Sequence, residues 1–147
     1  MAEVAALLPG AIPVCPASID EAPGEGGAYV LLIHLADPVA IAIGKLAGHV
    51  PAGWHAYVGS ARGPGGLRAR LRRHFRHDKA IHWHVDRLTT RADRLAALAV
   101  TGGAECALGR TLVESGRFES ELPGFGNSDC ALCPSHLLRW TGAQSPV

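Results

Sequence analysis

A chain of 147 residues, 48% of them apolar, with 14 basic against 13 acidic side chains, suits one globular domain able to bury a real core. It has no apolar run long enough to span a bilayer. Its apolar start, MAEVAALLPGAIPVCPA, carries Glu3, Pro9 and Pro13 and no basic n-region, so a signal peptide is not expected and the cytoplasm is the expected compartment. A net charge of +1 gives no reason by itself to expect a nucleic-acid partner.

Residues 1–24 are rich in Ala, Pro and Gly and read as an N-terminal extension, residues 25–141 as the folded domain and residues 142–147 as a C-terminal tail. GGAYVLLIHL is β-branched and apolar, which predicts a largely buried strand over Ala28–Leu35. The turn ADP and the run VAIAIGKL predict a second strand paired with the first as a hairpin, and GWHAYVGSA a third that stops at Gly59. The loop RGPGG then leads into a helix whose Leu67, Leu71, His74 and Phe75 form one stripe, with Arg68, Arg72 and Arg76 on another face. RLAALAV (94–100) fits a strand or a helical turn, and residues 104–117 a helix. The order β-β-β-α followed by a further α indicates an α+β fold rather than a doubly wound sheet.

Charge is unevenly spread. Ten basic residues lie between Arg62 and Arg94 against Asp78, Asp86 and Asp93, whereas acids gather at the start (Glu3, Asp20, Glu21, Glu25) and the end (Glu114, Glu119, Glu121, Asp129). This fits a basic face aimed at a polyanion, with Arg62, Arg68, Arg72, Arg73 and Lys79 as the candidate DNA contacts. A solvated helix face is the alternative.

Glu105 falls on the stripe of Leu108 and Leu112 that should face the core, where a carboxylate needs a cation or a metal. An acid in a helix's first turn is also favoured simply by the dipole. Tyr29 and Tyr57 lie in strands that should pair with each other, and either can be plain packing. In HWHVD, His82 and His84 share a side if the segment is a strand; a metal pair, satisfied structural rings and contacts to DNA phosphate are the readings open. Cys130-x-x-Cys133-x-x-His136, with Cys106 as a fourth ligand, suits a Cys₃His zinc site; with a lone CxxC pair, free buried cysteines are the competing reading.

GAY (27–29) and YVG (57–59), followed by LRARLRRH (67–74) in the spacing Leu-x-x-Arg-x-x-x-His, resemble the GIY-YIG nuclease superfamily. WHAYVGSARGPGGL, KAIHWHVDRL, ECALGRTL and GFGNSDCALCPSHL resemble a small branch of it (DUF123-like), found alone or fused to endonuclease III-type DNA glycosylases. The resemblance implies an antiparallel sheet of about three strands flanked by helices. It also implies a metal-dependent DNA endonuclease with Tyr29, Tyr57, Arg70, His74 and Glu105 as catalytic residues, and one Mg²⁺ or Mn²⁺ held by Glu105. A domain that binds DNA without cleaving it, and an adaptor for a repair enzyme, are the alternatives. Ala28 and Val58 stand where the pattern has isoleucine, positions that need only pack.

Overall fold

A computed structural model describes residues 1–128 and 130–147, so Asp129, one of the acids noted near the end of the chain, lies outside the described residues. In chain order the elements are α1 (Ala2–Ala5), β1 (Ile12–Val14), a 3₁₀ turn (Pro16–Glu21), β2 (Gly27–Leu35), β3 (Val39–Ile43), β4 (Leu46–Val50) and β5 (Gly53–Ala61). They continue with α2 (Gly66–Phe75), α3 (Asp86–Thr89), β6 (Arg94–Thr101), α4 (Glu105–Glu114), β7 (Phe118–Ser120) and β8 (Leu137–Trp140). No helix among the described residues is long and apolar enough to cross a membrane.

The fold is α+β, built on a six-stranded antiparallel sheet in the order β1-β6-β2-β5-β8-β7. Successive strand residues point to opposite faces, so the unbroken apolar run of β2 serves two cores. Tyr29, Leu31, Ile33 and Leu35 join Leu67 and Leu71 of α2 on one side, while Ala28, Val30 and Leu32 join Leu108 and Leu112 of α4 on the other. A strand buried on both faces has no polar residue to show alternation, which is why it reads as a continuous hydrophobic stretch.

The sheet is twice the width expected from about three strands, and the expected hairpin is not formed. β3 pairs with β4 in a separate two-stranded sheet, and the partners of β2 are β5 and β6. The widening comes from strands with weak signals: the Ala-rich β6, the short β7 and β8, and β1 at the far edge. At the end of the β2–β6 pair the main chains approach closely: a Cβ added at Gly27 of β2 would stand 2.2 Å from the Val100 carbonyl oxygen of β6.

The start of α2 lacks a side-chain cap. Its first amides donate instead to main-chain carbonyls, Leu67 to Glu25 at 2.9 Å and Arg68 to Pro23 at 2.8 Å. Docking is so close that a Cβ on Gly66, where φ is +53°, would meet the carbonyl oxygens of Gly24 and Glu25 at 2.2 Å. The segment before β2 thus fixes the helix that carries Arg70 and His74.

Candidate functional site

β2 and β5 run side by side with Tyr29 opposite Gly59 and Leu31 opposite Tyr57, which brings both tyrosines to the same face of the sheet. They open into a polar cleft of about 290 Å³, also lined by Arg70 and His74 from α2 and by Glu105 from the first turn of α4. The five candidate catalytic residues, drawn from four elements, therefore share one cavity. Glu105 is half-buried and, among the described residues, is the only carboxylate lining it. The far wall is His82, Trp83 and His84, a loop rather than a strand, together with the turn at Gly126.

Glycines make room for both tyrosines. The Tyr29 ring lies over Gly59, where a Cβ would stand 2.4 Å from the phenolic oxygen. The Tyr57 ring lies over Gly126, where φ is +70° and a Cβ would stand 2.6 Å from the ring. Gly59→Ala should therefore displace Tyr29 and cost about 1–3 kcal/mol, as overpacking does. Thermal melting reads the loss, and an unshifted melting temperature would show that the ring is not held there.

The Tyr29 hydroxyl is 2.7 Å from His74 Nε2 within the core. Burial drives that hydroxyl well above its ordinary range, with Tyr57 adding to the effect and Arg70 opposing it. Burial, followed by the charge of Glu105, pushes Tyr57 up to about 12 against the pull of Arg70. Both tyrosines are therefore neutral at neutral pH, because desolvation outweighs the nearby guanidinium. His74 is pushed down to about 3, first by burial and then by Lys79. A neutral imidazole carries one N–H and one bare nitrogen, and a phenol that keeps its proton can pair with either, so the contact with Nε2 is satisfied in both tautomers. His74 Nδ1 is buried with no partner among the described residues.

His55, also fully buried and pushed down to about 4 by burial, behaves likewise. The unfolded chain protonates both rings near pH 6.5, whereas the folded protein does not until far lower pH. Their contribution is therefore whole above about pH 6.5 and declines as pH falls towards about 4, by up to about 1.4 kcal/mol per pH unit for each ring. Urea unfolding between about pH 7 and about pH 4 should show a falling midpoint, with a shallower fall in His55→Leu. A flat profile would mean that the rings are charged in the fold.

Arg70 makes no ion pair or hydrogen bond among the described residues, and its guanidinium lies 4.1 Å over the Trp83 ring. Stacking holds it while leaving its donors free. Other members of the basic run are engaged in the fold. Arg68 Nε donates to the Ala22 carbonyl at 2.7 Å, and Arg72 pairs with Asp20. Arg73 makes a two-pronged pair with fully buried Asp86, at 2.8 and 3.0 Å. Lys79, with its side chain 4% exposed, donates to the last-turn carbonyls of Arg73 and His74 and lies 3.8 Å from Asp86. Arg62 and His82 are exposed, and His84 Nδ1 accepts from the Gly126 amide at 3.0 Å, tying together the two segments of the far wall.

Trp83, Asp86 and Gly126 are structural members of the site that sequence reasoning missed. A tryptophan three residues before a buried acid, both inside a basic run, was the available signal for the first two. Burial raises the Asp86 carboxyl, but Arg73 and the amides of Trp83 and His82 more than offset it and hold it at about 2.

A second cluster lies beside the first. The ligand atoms of Cys106, Cys130, Cys133 and His136 all fall within 4.8 Å of one another, a set that can hold a metal ion. Cys106 immediately follows Glu105, and His136 reaches the cleft, packed edge-on against Tyr57 at 6.5 Å between ring centroids.

Comparison with curated proteins and with solved structures finds no match. Residues 28–147 match the family described as Domain of unknown function DUF123. That span takes in both tyrosine strands, the arginine helix, Glu105 and the Cys₃His cluster, and the chain belongs to this family.

Proposed function

We propose that this protein is a metal-dependent endonuclease of GIY-YIG type that hydrolyses phosphodiester bonds in DNA, with branched, flapped or damaged DNA as the substrate class. The observation that carries this reading is the convergence of Tyr29, Tyr57, Arg70, His74 and Glu105 on one polar cleft. The residues fit one Mg²⁺ or Mn²⁺: Glu105 offers a hard oxygen, and such ions bind through one or two carboxylates while keeping several waters. When bound, the ion acts as a Lewis acid on the phosphate and the leaving oxygen.

The chain's own groups divide the remaining work. Arg70, held over the Trp83 ring with its donors free, stabilises negative charge on the phosphoryl oxygens. Tyr29 Oη, held in place by its hydrogen bond with His74 Nε2, takes the attacking water's proton as it releases its own to solvent in the cleft. Oxygen bonds to phosphorus, the bond to the leaving oxygen breaks, and that oxygen takes a proton from solvent. Tyr29 then never has to persist as phenolate, in keeping with its raised pKa. Tyr57, edge-on to Phe125, positions the water or the phosphate through its hydroxyl. Without a base-reading element, recognition is of backbone and shape.

The test is cleavage of labelled single-stranded, duplex, flap and branched DNA with Mg²⁺, Mn²⁺ or EDTA. Cleavage that needs the ion supports the proposal and reveals the preferred shape. Salt-sensitive binding without cleavage would replace it with a non-catalytic DNA-binding module. Neither binding nor cleavage would favour an adaptor domain.

A further inference from the structure

We propose that Cys106, Cys130, Cys133 and His136 bind one zinc ion, and that this zinc clamps the first turn of α4 to the β7–β8 connection and so sets where Glu105 stands. Cys106 is the second residue of α4. The other three ligands lie in the segment between β7 and β8, whose described residues form no helix or strand between Ser120 and Leu137.

The geometry suits one ion. Tetrahedral zinc with Zn–S bonds of about 2.3 Å places its sulfurs roughly 3.8 Å apart. Cys106 Sγ and Cys130 Sγ are 3.2 Å apart, and all four ligand atoms fit within 4.8 Å. An iron–sulfur cluster spreads its ligands wider. Thiolate donors select zinc over Mg²⁺, so this site and the Glu105 carboxylate do not compete for one metal.

The protein around the cluster gives the clamp its consequence. The same connection supplies Gly126, on which the Tyr57 ring rests, and His136, which packs against that ring. Its backbone is tied at Gly124 to the Pro134 carbonyl at 2.8 Å and at His136 to the Phe125 carbonyl at 2.9 Å. Asn127 Nδ2 donates to the Cys133 carbonyl at 2.6 Å. These bonds close the connection on itself. Among the described residues, the contact from this cluster to α4 runs through Cys106, one residue from Glu105. Zinc would turn that contact into coordinate bonds, and Glu105 would be fixed by its neighbour. The importance given to Glu105 rests on the proposed nuclease function; the zinc site itself does not.

Metal analysis of protein purified without added metal should find one zinc per chain. Cobalt exchanged into the site should show the visible bands of a tetrahedral ion and a sulfur-to-cobalt charge-transfer band. Cys130→Ser should lose the metal and Cys15→Ser should keep it. His136→Cys, which converts the set to Cys₄, should keep it too. Hydrogen exchange at the first turn of α4 should rise at least about tenfold in Cys130→Ser, as local opening becomes easier, and stay at the parent level in His136→Cys. Folded protein without zinc, or with a Cys106–Cys130 disulfide in its place, would overturn the site. Zinc loss with unchanged exchange at α4 would overturn the clamp. Zinc and protection as expected without DNA cleavage would sink the nuclease reading and leave this one standing.

Discussion

Glu105→Ala is expected to lower DNA cleavage by at least about 10²–10³-fold, the scale on which removing one stabiliser of transition-state charge acts. Folding should be nearly untouched. Glu105 stands at the first position of α4, where its favourable contact with the helix dipole is worth about 0.3–1 kcal/mol, a loss of a few degrees at most in the melting temperature. Two properties of the residue separate in its variants. Glu105→Gln keeps the shape and removes the charge, so equal inactivity in Gln and Ala would assign the role to the carboxylate. Activity retained in Gln would show that the residue acts only by position and would remove it as a metal ligand. The charge also raises the Tyr57 hydroxyl, so both substitutions should bring Tyr57 down from about 12, a shift readable by ultraviolet titration in a chain with two tyrosines.

The parts of this site that could be read from sequence are those fixed by local pattern. The run around Tyr29 and the one through Tyr57 are strands because their side chains are largely apolar, although the second continues past Gly59 to Ala61. The stripe of Leu67, Leu71 and His74 packs inward as its spacing requires. What sequence could not give is long-range pairing. β3 turns to β4, although chain order favours β2, and the Ala-rich β6 takes the place beside β2.

The basic run shows the same limit in its charges. A count along the chain registers Arg72 and Arg73 as free cations, yet the partner of one lies 52 positions away and that of the other 13. Proximity of Arg70 to the tyrosines suggests acidified phenols, but their acidity is set mainly by how deeply the sheet buries them. Neither burial depth nor a distant counter-ion is encoded in local spacing.

The largest expected effect on stability is at Asp86. Its side chain is fully buried and accepts four hydrogen bonds, two from Arg73 and one each from the amides of His82 and Trp83. Asp86→Asn keeps the size but leaves Arg73 and Lys79 without their anion and turns one acceptor oxygen into a donor. Breaking a buried pair from one side costs about 3–5 kcal/mol, or roughly 10–15 °C in melting temperature for a chain of this size. Removing the stranded cation should restore part of this, so Arg73→Met combined with Asp86→Asn should melt above Asp86→Asn alone. A double variant that loses the sum of both single effects would show that the pair is not coupled. The sign with pH follows from a carboxyl held at about 2: its contribution is whole above the ordinary range near 3.9 and is lost as pH falls through about 2. Activity should suffer before the fold does, because the amides bound to Asp86 hold the His82–Trp83 segment, and Trp83 is the surface on which Arg70 lies. In conditions where Asp86→Asn is still folded, cleavage should therefore fall while Glu105 is intact, since the arginine has lost its support and not its charge.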